Sequence, residues 1–267
     1  MYFETWVLDE KADAAVVTER ELDARPRILC LHGGGVSAAI FRAQARALIR
    51  HLPDFRLVFA DAPYLSEPGP GIVPVYETWG PFRRWLRWKN HHPELDDHTA
   101  ADTIISGLEQ CKEDDEGVGP WVALLGFSQG AKIAASLLYE QQIRKEREGY
   151  ADTDYRFGVL LAGRGPLLSF SHHSVSPALM TPAQLSMQEF DYPFPSPHVL
   201  RIPTIHVHGL QDIGLPYHRK LAWQYCDPKT STTIEWNGNH RVPIKRDDVT
   251  RVALEIYRTA RKQGVIV

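Results

Sequence analysis

Residues 121–131 read WVALLGFSQGA, and this stretch decides the fold of the chain. Its first seven residues form a continuous apolar run, which is typical of a strand buried on both faces. A serine between two glycines follows, and from Ala131 onward apolar residues recur at spacings of three and four, as in a helix. The stretch therefore predicts a buried strand, a sharp turn at Ser128 and a helix, in that order.

The same alternation of buried strand and amphipathic helix continues on both sides of this stretch. Apolar runs predict strands at 27–32, 56–61, 121–127, 157–162, 204–209 and 232–236. Apolar residues at helical spacing predict helices at 37–51, 97–112, 129–147, 215–225 and 245–262. Strands that are hydrophobic throughout need cover on both faces. The order therefore predicts an α/β fold, a doubly wound, mostly parallel sheet between two helix layers, in one domain over residues 1–267.

Two insertions, at 62–96 and 163–203, interrupt this repeat. Both are rich in proline, and the first also carries a set of aromatic residues: Tyr76, Trp79, Phe82, Trp85 and Trp88. Long irregular segments in compact domains usually serve as lids or binding loops. We expect both insertions to cover the functional end of the sheet and to line an apolar pocket.

Composition limits the possible classes of protein. The 267 residues are 43% hydrophobic and 24% charged with a net charge of −3, which excludes disordered chains and gives no bulk attraction to nucleic acid or anionic membranes. Three widely separated cysteines form no disulfide framework. The first 20 residues lack the apolar core of a signal peptide, and no apolar run is long enough to span a membrane. A cytoplasmic location is therefore expected.

Ser128 is the candidate nucleophile. In the pattern G-x-S-x-G, the flanking Gly126 and Gly130 let strand and helix pass close to each other, and the strained turn exposes the serine hydroxyl at a helix N-terminus. The free N–H groups and the dipole of that helix favour the negative charge that develops during attack on an acyl carbon. A buried serine in an ordinary turn is the alternative interpretation of this pattern.

A serine nucleophile needs a histidine base and a carboxylate that orients the base. Asp212 and His240 each follow a predicted strand, so both lie at the carboxyl ends of strands, where open α/β sheets build their sites. The order Ser128, Asp212, His240 is that of α/β-hydrolases. The competing residues lie inside a strand or in other loops: His206, His208, Asp152, Asp154, Asp191 and Asp227.

Two backbone N–H groups are expected to hold the oxyanion of a tetrahedral intermediate. One is that of Gln129, the residue after the nucleophile. The other is expected from the glycine turn after the first strand, with Gly34 as the first choice and Gly33 and Gly35 as alternatives. This turn matches no phosphate-binding glycine pattern. Four residues are expected to contact the substrate: Gly33, Gly35, Trp79 and Phe127.

Six motifs occur together along the chain: CLHGGG (30–35), FADAP (59–63), GPFRRW (80–85), LLGFSQGA (124–131), HVHGLQD (206–212) and GNH (238–240). This set resembles the fungal serine hydrolase (FSH) family of α/β-hydrolases over nearly the whole chain. CLHGGG followed by IFRAQ (40–44) is similar to the branch of polyketide-releasing thioesterases of fungal secondary metabolism, the lovastatin-pathway type. The resemblance implies an α/β-hydrolase fold, a triad of Ser128, Asp212 and His240, and hydrolysis of an acyl thioester or ester.

The expected function is release of a polyketide acyl chain from an acyl carrier protein through a serine-bound intermediate, with no cofactor and no metal. A carboxylesterase for small esters or lactones is the alternative, and a non-catalytic binding protein on the same fold is a more distant one. Residues 83–89 contain four cations, Arg83, Arg84, Arg87 and Lys89. These cations either belong to an amphipathic segment or guide an acidic carrier protein to the site. A nucleic-acid partner is not expected. The histidine pairs at 91–92 and 172–173 lack the further ligands of a zinc site.

Overall fold

The computed structural model describes residues 22–187 and 198–267. Their strands are β1 (Arg27–Leu31), β2 (Arg56–Ala60), β3 (Tyr64–Ser66), β4 (Phe82–Arg84), β5 (Trp121–Phe127), β6 (Phe157–Leu161), β7 (Thr204–Gly209) and β8 (Ser231–Trp236). Their helices are α1 (Ala38–Gln44), α2 (Arg46–His51), α3 (Asp97–Glu113), α4 (Gln129–Glu148), α5 (Leu215–Gln224) and α6 (Arg246–Lys262), with a 3-10 helix at Glu77–Trp79. The N-terminal segment 1–21 and the middle of the second insertion, 188–197 with Asp191, lie outside the described residues.

Six of the strands form one parallel sheet in the order β2-β1-β5-β6-β7-β8. Side chains alternate between its two faces, so that Ile28 and Cys30 join one apolar cluster whereas Leu29 and Leu31 join the other. Residues of α1, α2 and α6 cover the first face, and residues of α3, α4 and α5 cover the second. The predicted α/β class with a doubly wound parallel sheet is confirmed.

The strand order reverses between β1 and β5, and this reversal places a crevice at the carboxyl ends of these two strands. α4 begins after a single residue, Ser128, beyond the end of β5. An added Cβ on Gly130 would lie 2.1 Å from Leu31 O, so the first turn of α4 packs directly against the end of β1. The fold therefore sets the N-terminus of α4 beside the crevice.

The structure differs from the sequence-based expectation at two places. The helix predicted at 37–51 is two helices, because Ala45 leaves the helical conformation with φ −85° and ψ 5°. The first insertion is more regular than expected, since β3 and β4 pair as a small antiparallel sheet. In the part of the second insertion that the structure describes, regular pairing is limited to isolated bridges, such as the one between Leu168 and Met180.

The three cysteines within the described ranges are free, and two of them, Cys30 and Cys226, are buried. Burial raises the pKa of the Cys226 thiol to about 12, which keeps that thiol protonated and unreactive at neutral pH. None of the helices in residues 22–187 and 198–267 combines the length and the apolar character that a membrane crossing requires.

Candidate active site

Ser128 lies at the turn between β5 and α4, in a backbone conformation that residues other than glycine rarely adopt. Its φ is 54° and its ψ is −112°. The Ser128 N–H donates to Leu161 O at the end of β6, at 2.8 Å. Glycine is required on both sides, because a Cβ on Gly126 would lie 2.3 Å from Gly130 O. The turn thus fixes Ser128 between β5, β6 and the N-terminus of α4.

Asp212 and His240 approach Ser128 from the turns that follow β7 and β8. His240 Nε2 lies 3.0 Å from Ser128 Oγ, and His240 Nδ1 lies 2.6 Å from Asp212 Oδ2. The two turns are tied together, since the Gln211 N–H donates to Gly238 O at 2.8 Å. The structure therefore brings the three residues predicted from the sequence into one hydrogen-bonded chain.

Asp212 carries the charge that orients His240. Its side chain is 1% exposed, and burial by itself raises its pKa, but the hydrogen bonds from His240 and from the Gly214 N–H outweigh burial and hold the pKa below the usual range. A carboxylate acceptor at Nδ1 places the proton of a neutral His240 on that nitrogen. The lone pair of His240 Nε2 then faces the Ser128 hydroxyl, which donates to it.

The glycine turn after β1 lies beside Ser128 and supplies candidate oxyanion donors. An added Cβ on Gly33 would lie 3.5 Å from Ser128 Cβ, and one on Gly34 would lie 3.5 Å from Gln129 Oε1. The N–H of Gln129 belongs to the first turn of α4, where no helical acceptor exists. Within the described ranges, no acceptor is found for the Gly34 N–H. Gly34 and Gln129 are therefore both free to donate to an oxyanion.

Gly35 serves the fold, which corrects the expectation that it could supply an oxyanion donor. Its N–H donates to Arg83 O at 2.8 Å, and its carbonyl accepts from the Gly69 N–H, also at 2.8 Å. Its φ is +75°, and an added Cβ would lie 2.2 Å from Gly69 N. Gly35 thus joins the glycine turn to the first insertion, and Gly33 and Gly34 remain as the possible donors of this turn.

Sequence reasoning missed His32, which is buried directly before the glycine turn. His32 Nε2 accepts from the Ala62 N–H at 2.9 Å, so Nδ1 carries the proton and donates to Gly33 O at 2.6 Å. Burial lowers the pKa of His32 to about 4, and the ring is neutral at neutral pH. Gly33 O belongs to the same planar peptide unit as the Gly34 N–H, so this bond fixes the direction of that donor. In the sequence, the position of this histidine directly before three glycines was the one feature that pointed to a role in the glycine turn.

The side chain of Gln129 has a second role that sequence reasoning missed, because it fixes residues 82–92, here named the strap. Gln129 Oε1 accepts from the N–H groups of Trp85 and Leu86 at 2.8 and 3.1 Å, and Nε2 donates to Leu86 O at 3.1 Å. Trp85 Nε1 also donates to His32 O at 2.8 Å. The strap is thereby held against the N-terminus of α4 and the glycine turn.

Phe127 and Trp79, both expected to contact the substrate, have different surroundings. The centroids of the Phe127 and His240 rings are 5.0 Å apart, so Phe127 forms a wall beside the candidate base. Trp79 lies in the 3-10 helix of the first insertion, is 46% exposed and packs edge-on against Tyr76. Phe127 therefore fits the lining of an acyl pocket, whereas Trp79 lies on the solvent side of the insertion.

The competing residues have other contacts. His206 and His208 are fully buried in β7, where burial lowers their pKa values to about 3 and about 4. The remaining ones pair as follows: Asp152 with Arg144, Asp154 with Arg156 and Asp227 with the Lys229 N–H. Of the histidine pairs considered for zinc, His91 and His92 contact Glu67, and His173 contacts Glu148. Apart from Asp191, which the structure does not describe, the competing residues thus have structural partners or lie in the core.

The cations of the strap are only partly accessible. Arg84 is 3% exposed, and its guanidinium lies over the Tyr64 ring at 5.0 Å from the centroid. The side chain of Arg87 is 11% exposed, whereas those of Arg83 and Lys89 are 29% and 37% exposed. A partner that docks on the strap would therefore meet Arg83 and Lys89 before the other two.

Known proteins with similar sequences and folds are serine hydrolases, esterases and a thioesterase. The family model described as Serine hydrolase (FSH1) matches residues 22–252. Esterase citA of Monascus ruber is 51% identical over 246 residues, which cover 90% of this chain and 94% of that protein. Esterase claE of Penicillium crustosum is 49% identical over 250 residues, with coverage of 90% and 94%. The solved structure of Zea mays acyl-protein thioesterase 2 has the same fold, with a TM-score of 0.54 at 16% identity over 90% of this chain and 95% of that one.

Proposed function

This chain belongs to the serine hydrolase (FSH1) family of α/β-hydrolases, and we propose that it hydrolyses an acyl thioester to release a polyketide acyl chain from an acyl carrier protein. The observation that carries the proposal is the chain of contacts from Ser128 through His240 to Asp212, at 3.0 and 2.6 Å. Hydrolase chemistry of the esterase type follows from the family and the relatives. The thioester, the carrier protein and the roles of individual residues are what the proposal adds.

In the first step, Ser128 Oγ attacks the acyl carbon while His240 Nε2 accepts the hydroxyl proton. The N–H groups of Gly34 and Gln129 hold the oxyanion. Asp212 stabilises the imidazolium that forms on His240. The C–S bond then breaks, His240 gives its proton to the leaving thiol, and the acyl chain remains on Ser128 as an ester.

In the second step, a water molecule takes the place of the thiol. His240 Nε2 accepts a proton from the water as its oxygen attacks the acyl carbon, and the same donors hold the second oxyanion. The proton passes to Ser128 Oγ as the free acid leaves. The side chain of His240 is 43% exposed, which gives water access to Nε2 from the crevice.

The surroundings of Ser128 support an apolar acyl group that arrives on a carrier protein. Phe127 forms an apolar wall beside His240, and such walls are typical of sites for hydrophobic ligands. Arg83 and Lys89 lie beside Asp61 and Glu67, and an acidic protein surface would compete with these carboxylates for the two cations, because opposite charges steer association. The strap contacts Gln129, so a carrier docked there would be close to the candidate oxyanion site.

A carboxylesterase that acts on small esters or lactones is the second candidate function. The observation that favours it is that both of the relatives described above bear the name esterase. The same three residues and the same oxyanion donors would serve this reaction. The two candidates differ in the leaving group, an alcohol or a carrier-bound thiol, and in the need for a protein partner.

Substitution of the nucleophile tests the hydrolase mechanism. We expect Ser128→Ala to lower kcat by several orders of magnitude, up to about 10⁶, because no other group in the site replaces the hydroxyl. Intact-mass spectrometry of the wild-type protein mixed with a thioester should show one acyl adduct, and the variant should show none. Ser106→Ala, at an exposed position on α3, is the matched control and should keep the wild-type rate. Full activity of a folded Ser128→Ala variant would refute the mechanism.

The leaving group is tested with one acyl chain presented in three forms: on a carrier protein, on a short pantetheine analogue and as an ethyl ester. The thioesterase proposal expects the highest kcat/KM for the carrier-bound form and a decrease at low salt when Arg83 and Lys89 are both changed to Glu. Equal decreases for all three forms would indicate damage to the strap instead. A higher kcat/KM for the ethyl ester than for either thioester would favour the carboxylesterase.

A further inference from the structure

A third histidine, His218, lies beneath the candidate triad in α5. Its side chain is 1% exposed, and its Nδ1 is 3.7 Å from Asp212 Oδ2. The centroids of the His218 and His240 rings are 5.8 Å apart, with 32° between the ring planes. Neither ring nitrogen of His218 has a hydrogen-bond partner within the described residues. Buried nitrogens without partners are unusual, and beside a carboxylate and a second imidazole they indicate a site for a positive ion.

Asp212, His218 and His240 together offer one carboxylate oxygen and two imidazole nitrogens. One ligand atom from each residue lies within 4.8 Å of the other two. Zinc bonds to nitrogen and oxygen of about 2.0–2.2 Å place the ligands of a tetrahedral ion about 3.3 Å from one another. Asp212 Oδ2 and His240 Nδ1, now 2.6 Å apart, therefore need to separate by about 0.7 Å, and the widest pair needs to approach by about 1.5 Å at most. Rotation of the Asp212 and His240 side chains in the turns after β7 and β8 can supply these shifts while His218 stays fixed in α5.

The donor atoms of these groups suit a metal ion. Both nitrogens of the buried His218 ring lack a hydrogen-bond partner within the described residues, and Asp212 offers a carboxylate oxygen 3.7 Å from one of them. Two imidazoles and a carboxylate form a typical donor set for Zn²⁺.

We propose that Asp212, His218 and His240 form an inhibitory site for a divalent transition-metal ion, with Zn²⁺ as the ion that fits best. The inhibition rests on the proposed function, because it requires His240 to be the base, whereas the binding does not. His240 is the exposed member of the three, and the ion enters from that side. A water molecule completes the tetrahedral coordination on the crevice side.

Metal binding disables the base through the tautomer of His240. The ion takes the lone pair at Nδ1, the nitrogen that otherwise carries the proton donated to Asp212. In the neutral ring this proton then resides on Nε2, which can no longer accept a proton from Ser128. Asp212 Oδ2 exchanges its hydrogen bond with His240 for a bond to the ion. No bond to Ser128 forms and no proton is released, so removal of the ion restores the active tautomer.

A second group of possible ligands, Glu67, His91 and His92, is less suited to a metal ion. The Lys89 ammonium already contacts Glu67 Oε1, and its positive charge repels a second cation. Both ring nitrogens of His92 are also occupied, Nδ1 by the Trp88 N–H at 3.3 Å and Nε2 by Glu67 at 2.9 Å. This group provides the control for the experiment.

The test is a titration of EDTA-treated full-length protein with ZnCl₂, followed by calorimetry and by hydrolysis of a chromogenic ester. We expect one ion per chain, inhibition at the concentrations that fill the site, and recovery of activity after EDTA is added. His218→Phe keeps an aromatic ring and removes both nitrogens, so it should raise the Kd for Zn²⁺ at least about tenfold. The Zn²⁺ concentration that halves the variant's own metal-free rate should rise by the same factor. His91→Phe should leave both values unchanged.

Ser128→Ala separates this inference from the proposed function, because Ser128 is not a ligand. This inactive variant should bind Zn²⁺ with the wild-type Kd. A wild-type protein that lacks hydrolase activity but binds one Zn²⁺ through His218 would overturn the proposed function and support the metal site. The metal site is overturned by no binding at millimolar Zn²⁺, by wild-type affinity in a folded His218→Phe variant, or by loss of binding in His91→Phe. His218→Asn replaces His218→Phe if circular dichroism shows that the latter does not fold.

Discussion

At the scale of single residues, Ser128 is held in a conformation that costs free energy. A positive φ at a residue other than glycine costs about 1–3 kcal/mol, so it persists only where the surroundings enforce it. Here the enforcing contacts are the close approach of Gly126 to Gly130 and the hydrogen bond from Ser128 N–H to Leu161 O. The backbone of β5, α4 and β6 therefore sets the position of the hydroxyl, with no help from the serine side chain.

Two glycines of the same turn should respond differently to alanine. Gly35→Ala is expected to lower the free energy of unfolding by more than about 2 kcal/mol, because φ is +75° and the new Cβ would lie 2.2 Å from Gly69 N. Gly34→Ala is the matched control, since its Cβ would lie 3.5 Å from the side-chain amide of Gln129, an ordinary contact that requires no shift. Its expected cost is within about 1 kcal/mol. Urea unfolding measures both, and equal costs would contradict the contact between Gly35 and Gly69.

The residues that follow strands were predictable from the sequence, whereas the supporting contacts were not. Ser128, Asp212 and His240 each follow an apolar run, and parallel strands end at the same edge of a sheet. The sequence does not distinguish the roles of Gly33, Gly34 and Gly35. Their roles differ because the Gly35 N–H donates to Arg83 O, which lies far along the chain. The role of His32 depends in the same way on the distant Ala62.

At the scale of elements, α4 and the strap act together through Gln129. Its backbone N–H is a candidate oxyanion donor, and its side chain makes three hydrogen bonds with Trp85 and Leu86. The same residue therefore forms part of the candidate site and holds part of its cover. A movement of the strap would be transmitted to the first turn of α4.

Gln129→Met should release the strap without removing the backbone donor. The variant is expected to lose about 1–3 kcal/mol of stability, because the N–H groups of Trp85 and Leu86 lose their acceptor. Hydrogen exchange at these two residues should become faster, and proteases should cleave within residues 82–92. Gln110→Met on α3 is the control, since the Gln110 side chain donates to the exposed Asp114 within the same helix end and has no acceptor on the strap. Unchanged exchange at Trp85 and Leu86 would show that Gln129 does not hold the strap.

The sequence predicted most elements, because long apolar runs and helical spacing are strong local signals. It missed the pairing of β3 with β4, since strands of three residues are too short to show an alternating pattern. It also missed the division of the first helix at Ala45, where neither glycine nor proline marks the break. Both features depend on packing between segments, which the local pattern does not contain.

At the scale of the whole molecule, buried neutral histidines make the fold sensitive to acid, and burial acts most strongly on four of those in the described residues. Burial lowers their pKa values to about 4, about 3, about 4 and about 4, in the order His32, His206, His208 and His218. In the unfolded chain a histidine titrates near 6.5. As the pH falls below about 6.5, the unfolded state therefore binds protons that the folded state does not bind, and the free energy of unfolding decreases.

We expect the free energy of unfolding to fall by up to about 1.4 kcal/mol per pH unit for each of these histidines between about pH 6.5 and pH 4. Urea unfolding at several pH values measures the slope. His208→Phe removes one titrating group, so its slope should be smaller than that of the wild type by up to this amount. His98→Phe, at an exposed site on α3, should keep the wild-type slope. A stability that does not change between pH 7 and pH 5 would contradict the burial of neutral imidazoles.

The alternation of strands and helices predicted the α/β class of the whole molecule, and the reversal of strand order explains where the crevice lies. The contacts that hold the first insertion against the glycine turn and α4 could not be predicted. They include single contacts such as Gly69 N–H to Gly35 O and Trp85 N–H to Gln129 Oε1. Proline and aromatic content identifies an insertion but does not say which of its residues face the sheet.

Two residues of the first insertion bond to the glycine turn, and most of the stretch between them, from Val73 to Pro81, is exposed. Gly69 and Arg83 bond to Gly35, while Val75 and Trp79 in the intervening stretch are exposed. The anchored residues therefore mark positions at which the exposed stretch can be replaced in an engineered variant. Foreign loops could be grafted between the buried Ile72 and Arg83, with the anchoring pairs left as a constant frame. Libraries randomised in this tip should yield far more folded clones than libraries of equal size randomised at the anchors.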